Sequence, residues 1–275
     1  MTIAGALEAA RARGLERLDA QLLMLRVLGR SQQERAWLIA HDQEELDSDS
    51  HGRFDASCSQ RLGGEPIAYL VGEKQFHGLT LKVDPRVLVP RPETETLVDW
   101  ALELLGADPA PRVLDLGTGS GAIALAIKSA LPNACVEGLD ASDAALAVAA
   151  ENAAALSLDV SFRQGSWLEG VAAGYDLIVS NPPYVTETDP HLADLRQEPL
   201  SALAAGPDGL ADIRTIVAGA PAHLVGGGWL LLEHGWDQAA PVRDLLLAAG
   251  LANVTSRRDL AGIERCSGGQ RLELG

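Results

Sequence analysis

The chain has 275 residues, of which 47% are hydrophobic and 22% charged, a globular composition with room for one large domain or two smaller ones; its 28 glycines and 14 prolines exclude a low-complexity chain. A formal net charge of −16 repels polyanions over most of the surface, so direct nucleic-acid binding, which needs clustered cations against phosphates, is not expected. Cys58, Cys135 and Cys266 are odd in number and far apart, and Glu8, Arg11 and Arg13 interrupt the first apolar stretch; reduced thiols in a cytoplasmic protein are expected, with no disulfide framework, zinc site, secretory segment or membrane span.

Residues 1–62 read as helices without strands. Leu7, Leu15, Leu18, Leu22, Leu25 and Leu28 recur at helical spacings, Asp19 or Ser31 is placed to cap successive helices, and Trp37, Leu38 and Leu46 continue the apolar face. A small helical bundle is expected, with the acidic stretch 42–55 as a solvated helix face. Gly63, Gly64 and Pro66 end that pattern, and the alternating Leu79, Leu81 and Val83 have strand character, so residues 63–90 are expected to form a hairpin linker.

From residue 91 onward strands and helices alternate. Strands are predicted over 112–116, 135–139, 160–163, 176–180 and 228–233, helices over 122–131, 142–156, 210–225 and 238–249, and closing strands over 254–257 and 270–273. Parallel neighbours need helical crossovers, so this alternation demands a mostly parallel α/β sheet covered on both faces.

Two segments carry chemistry. Val113-Leu114-Asp115-Leu116 runs straight into Gly117-Thr118-Gly119-Ser120-Gly121 and then a helix. Alternate glycines let the backbone turn tightly and approach a ligand, and the helix start offers free N–H groups. The spacing departs from G-x-G-x-x-G, and the Lys-Ser/Thr of a P-loop is absent. Asp140 ends the next strand, where an acidic side chain accepts hydrogen bonds from ribose hydroxyls. This pair points to a nucleoside-containing cofactor without separating nicotinamide from S-adenosylmethionine; the alternative is a turn needed only for strand-to-helix packing.

The second segment is a buried strand, 176–180, ending in Asn181-Pro182-Pro183-Tyr184. The Asn side-chain oxygen and a carbonyl held by fixed proline φ angles make two converging acceptors suited to a planar NH2 group. An aromatic ring beside them can stack on that group or face a sulfonium cation. Read plainly, the same residues are a Pro-Pro loop with Asn as a turn former.

Together, Gly117 to Gly121 and Asn181-Pro182-Pro183-Tyr184 resemble the class I S-adenosylmethionine-dependent methyltransferases that act on amino or amide nitrogens. Leu88-Val89-Pro90-Arg91-Pro92-Glu93-Thr94-Glu95, Glu198-Pro199 with Ala202-Leu203, Leu231-Leu232-Glu233-His234-Gly235, and Asp259 with Gly262 and Arg265 are similar to the peptide chain release factor glutamine N5-methyltransferase family. The resemblance spans essentially the whole chain. It implies a doubly wound, Rossmann-like seven-stranded sheet over 91–275, behind a helical substrate-recognition domain over 1–62. It further implies S-adenosylmethionine as cofactor, class I release factors as protein partners, and methylation of the glutamine in their Gly-Gly-Gln loop during translation termination, in the cytoplasm and away from membranes. By the same resemblance Gly117, Thr118, Gly119, Ser120 and Gly121 cradle the methionine part, Asp140 holds the ribose, Trp167 lies against the adenine or packs in the core, and Asn181, Pro182, Pro183 and Tyr184 bind the substrate amide, with Asn181, Pro182 and Tyr184 as the catalytic set and no metal. The family often has an acidic residue just before this Trp; here Ser166 stands there.

The remaining signals are weaker. Arg91-Pro92-Glu93-Thr94-Glu95 reads as a helix start or, by the resemblance, as a wall of the site. His234 stands alone at a strand end and reads as structural. Gly268-Gly269-Gln270 repeats the substrate tripeptide inside a predicted strand, by coincidence. Three rival readings are a DNA adenine N6-methyltransferase gripping an exocyclic NH2 with the same four residues, which the net charge disfavours, a nicotinamide-binding oxidoreductase supported by the glycine turn alone, and a non-catalytic cofactor sensor that binds without turnover.

Overall fold

In the computed structural model, which describes residues 1–193 and 195–273, the chain divides into Met1–Glu73 and Lys74 onward. The first part runs through helices α1 (Ile3–Ala12), α2 (Arg17–Val27), α3 (Arg35–Ala40), α4 (Ser48–Leu62) and α5 (Ile67–Val71). Thr2 Oγ1 and Asp47 Oδ1 accept the free N–H groups of Gly5 and Ser50, at 3.2 and 2.8 Å, which starts α1 and α4. Ile3, Leu23, Met24, Leu25, Leu38 and Phe54 fill the space between these helices, each such side chain contributing about 1.5–3 kcal/mol of transfer free energy. Neither expected cap falls where the leucine spacing puts it. Asp19 lies inside the first turn of α2, where its carboxylate takes Arg61 Nε at 2.6 Å, and Ser31 is a turn residue ahead of α3 whose Oγ accepts from Gln33 N–H at 3.3 Å.

The second part opens on a two-stranded hairpin, β1 (Glu73–Phe76) and β2 (Leu79–Lys82), followed by a 3-10 turn, Pro92–Thr94, and α6 (Glu95–Leu105). The hairpin is therefore shorter than the stretch 63–90, which also holds α5. Then come β3 (Arg112–Leu116), α7 (Ala122–Ala130), β4 (Cys135–Asp140), α8 (Asp143–Leu156), β5 (Ser161–Gln164), β6 (Tyr175–Ser180), α9 (Ala211–His223), β7 (Leu224–Glu233), α10 (Ala239–Ala248), β8 (Ala252–Arg258) and β9 (Glu264–Gln270). The last strand lies N-terminal to the expected 270–273. Its residues 266–269 are Cys-Ser-Gly-Gly, which show no apolar alternation although all four are buried.

The seven strands are ordered β5-β4-β3-β6-β7-β9-β8, parallel except for β9, which is antiparallel to both neighbours. Strand alternation divides the apolar residues between two cores. Val113, Val136, Leu177, Val179 and Leu231 face α6 and α7; Leu114, Leu116, Ile178, Leu230 and Leu232 face Ile213, Ile216 and Val217 of α9 and Val242 and Leu246 of α10. This double burial explains why the parallel strands read as continuous apolar runs. The chain steps outward from β3 through β4 to β5 and returns on the other side of β3 as β6, so the carboxyl ends of β3 and β6 flank a topological switch point. Among the described residues no helix is long and apolar enough to cross a membrane.

Candidate active site

The turn after β3 is built from left-handed glycines: φ is +69° at Gly117, +56° at Gly119 and +82° at Gly121. At Gly119 an added Cβ would meet no protein atom within 4 Å, so the demand for glycine comes from the backbone angle and from the ligand side of the turn. Asp140, at the end of β4, holds this turn in place. Its Oδ2 accepts Gly119 N–H and its Oδ1 accepts Ser142 N–H, both at 2.9 Å. From behind, Asn152 of α8 donates to Ser120 C=O at 2.9 Å and exchanges two hydrogen bonds with the Lys82 backbone.

Asp115 lies beneath the turn. Its Oδ2 accepts from Thr118 Oγ1 at 2.6 Å and Ala124 N–H at 3.2 Å, while its fully buried Oδ1 has no partner among the described residues. Burial pushes its carboxyl up to about 7 despite those bonds. The folded pKa lies above the unfolded value of about 3.9, so this group's stabilising contribution is present below pH 4 and is lost as pH rises through about 7. Asp115→Asn should therefore gain in melting temperature over the parent as pH rises from 5 to 8, by roughly 2–4 °C per kcal/mol removed; a pH-independent difference between the two would contradict this assignment.

At the end of β6, Ser180 Oγ donates to Leu116 C=O at 2.7 Å, locking the two strand ends together. Asn181 follows, its Nδ2 donating to Thr94 Oγ1 at 3.2 Å. Tyr184 donates its hydroxyl to Glu233 Oε1 at 3.2 Å, and its carbonyl accepts from Gln238 Nε2 at 3.0 Å. Burial and the neighbouring carboxylate raise the Tyr184 phenol well above its ordinary range, so it stays protonated. Burial likewise pushes Glu233 up to about 7. Gly209, at φ +69°, backs this segment so closely that a Cβ would fall 2.2 Å from Tyr184 O. The buried Glu198 carboxylate accepts Val89 N–H at 3.0 Å and pairs with Arg91, joining the Leu88–Glu95 stretch to Glu198-Pro199.

These elements enclose a cavity of about 320 Å³ at the switch point, with Gly117, Gly119, Asp140, Trp167, Asn181 and Pro183 in its wall. The other sequence-derived residues stand behind it. Thr118 and Ser120 are buried, with Thr118 bonded to Asp115; Gly121 sits at the N-cap of α7; Pro182 is buried; Tyr184 reaches away toward Glu233. Trp167, at φ +48°, lays its ring 3.5 Å from where a Gly117 Cβ would be, and donates Nε1–H to Asp212 Oδ1 at 3.2 Å. Asp212, from α9, lines the cavity with Ser166, and burial raises its carboxyl. An acid is thus present beside Trp167, supplied from 45 residues further along the chain. Of the weaker signals, His234 is a buried structural residue, bonded to Gly235 C=O and Ser267 Oγ, with burial lowering its pKa. The stretch from Arg91 is a helix start whose Thr94 also touches Asn181.

A cavity with an aromatic wall, two carboxylates and a left-handed glycine cradle fits a nucleoside carrying a cationic amino-acid tail, and with the sheet order it defines a methyltransferase of the class that uses S-adenosylmethionine. The methyltransferase small domain family matches residues 97–198, and the PrmC N-terminal domain family matches residues 3–72. The release factor glutamine methyltransferase of Bordetella pertussis is 52% identical over 93% of this chain and 95% of its own length, and that of Xylella fastidiosa (strain Temecula1) is 50% identical over 96% and 97%. This chain belongs to the release factor glutamine methyltransferase family. A methyltransferase structure from Pyrococcus furiosus, 19% identical, shares the fold with a TM-score of 0.56, covering 78% of this chain and 98% of that one.

Proposed function

We propose that this protein methylates the side-chain amide nitrogen, N5, of the glutamine in the Gly-Gly-Gln motif of class I peptide chain release factors, using S-adenosylmethionine. The observation that carries this reading is the Asn181 amide in the wall of the cavity that also holds the glycine turn and Asp140, in a chain about half identical to named release factor glutamine methyltransferases over nearly its full length. When bound, S-adenosylmethionine supplies an electrophilic methyl group on a sulfonium sulfur. Gly117, Gly119 and Asp140 would hold its methionine and ribose parts, with Trp167 and the Asp212 carboxylate beside the adenine.

An amide nitrogen is a poor nucleophile because its lone pair is delocalised, so the protein's task is orientation and charge stabilisation. Asn181 Oδ1 accepts from the substrate NH2 in the cavity, with the backbone carbonyl of Pro182, next in the chain, as the second acceptor the family resemblance implies; this aims the nitrogen and offsets the positive charge that develops on it. The nitrogen becomes acidic as its new bond forms and loses its proton afterwards, so no general base is required. The helical part over the first 73 residues, which carries no comparable constellation, is read as the recognition domain for the protein substrate. The compartment is the cytoplasm, where translation terminates.

The direct test is transfer of labelled methyl to a class I release factor, to its Gln→Ala variant and to a DNA oligonucleotide. Label on the glutamine-containing protein alone is expected; equal label on the Gln→Ala protein, or label on DNA, overturns the reading. Asp140→Ala should weaken S-adenosylhomocysteine binding by about 1–3 kcal/mol, the range for losing hydrogen bonds to a charged group. Calorimetry giving equal affinity would mean that the ribose lies elsewhere.

A further inference from the structure

An Asn side chain can offer a ligand either an acceptor or a donor, and a substrate NH2 needs the acceptor. The choice at Asn181 is made on the side away from the cavity. Its Nδ2 donates to Thr94 Oγ1 at 3.2 Å, and Thr94 is 4% exposed, so this donor has a dry, fixed partner.

Resting on the amide-methylation reading above, we propose that Thr94 is a positioning residue: its buried hydroxyl takes Asn181 Nδ2 and so holds Asn181 Oδ1 toward the substrate nitrogen. The two groups come from separate segments, the start of α6 and the end of β6, so the device is set by the tertiary fold. Rotation of the amide by half a turn would present NH2 to NH2 and remove the acceptor.

The test uses the full chain with saturating cofactor. Thr94→Val, close in shape but without the hydroxyl, should lower single-turnover transfer to the release factor by about tenfold, the scale of a misaligned reacting group. Affinity for S-adenosylhomocysteine should stay within about twofold, since Thr94 is absent from the cavity wall. Thr94→Ser should restore most of the rate, and Thr94→Val should cost nothing further when added to Asn181→Ala. A second readout needs no turnover: the Asn181 side-chain NH2 resonances, assigned by their loss in Asn181→Ala, should be protected from exchange in the parent and exposed in Thr94→Val. Parent rate and parent NH2 protection in Thr94→Val overturn the proposal, as does Thr94→Ser failing as badly as Thr94→Val. If the parent transfers no methyl to glutamine, the function reading fails, and the NH2 protection still decides whether Thr94 holds Asn181.

Discussion

Replacing Asn181 by alanine is expected to slow methyl transfer by about a hundredfold or more, the usual consequence of losing a preorganised hydrogen-bond partner of the transition state. Asn181 reaches the cavity from the carboxyl end of the strand beside β3, and with Nδ2 held by Thr94 its oxygen is the group available to a substrate. Without it the amide nitrogen is free to leave the line of attack. Cofactor affinity should fall much less, because the glycine turn and Asp140 are untouched. Asn181→Asp keeps an acceptor of the same size but presents a carboxylate oxygen to Thr94 in place of an NH2 donor, and its charge disturbs a site meant for a cationic cofactor; it should retain more activity than alanine and less than the parent. The measurement is single-turnover transfer at saturating S-adenosylmethionine, and a parent rate in Asn181→Ala would remove the Asn-Pro-Pro-Tyr turn from the mechanism.

Gly119→Val should abolish cofactor binding while leaving the fold largely intact. The position sits at φ +56°, which a β-branched residue adopts only with strain, and its N–H is the group Asp140 holds. Relaxing that strain moves the N–H away from Asp140 and turns the valine into the cavity. The packing behind the turn tolerates the change, since no protein atom lies within 4 Å of the new Cβ. Gly209 makes the contrast: there a Cβ would strike the Tyr184 carbonyl at 2.2 Å, so a similar substitution damages the structure itself. Calorimetry with S-adenosylhomocysteine, read beside near-ultraviolet circular dichroism, separates the two cases; unchanged affinity in Gly119→Val would overturn the role of the turn.

What was legible in the sequence follows from which forces are local. The parallel strands from β3 to β7 stood out because burial on both faces makes them apolar runs, and the two site segments because strand ends followed by glycine or proline are local features. The sequence misplaces the last strand because Ser267, Gly268 and Gly269 carry no hydrophobic signal; Gly268 is covered by Leu231 and Trp100 and Gly269 by Leu251 and Val254, which come from elsewhere in the chain. The sequence reads Ile67–Val71 as linker because Gly63, Gly64 and Pro66 punctuate the chain just ahead of it, where Pro66 occupies the N-cap of that helix. Pairings over long separations were out of reach. Trp167 and Asp212 are 45 residues apart and Asn181 and Thr94 are 87 apart, and neither pair shares a local pattern. Glu233 stood in a recognisable string, but only its burial beside Tyr184 gives it a role.

The return of β6 to the far side of β3 also sets an order of assembly. The helical part is made of near neighbours in sequence and closes little chain entropy per contact, so it forms quickly and early as the chain emerges. The central strand has the opposite history. Leu116 meets Ser180 only 64 residues later, and β3 lies with its β6 edge open until then. During synthesis the glycine turn therefore precedes the Asn-Pro-Pro-Tyr wall of its cavity by about sixty residues, and the open edge of β3 is exposed to mispairing over that interval.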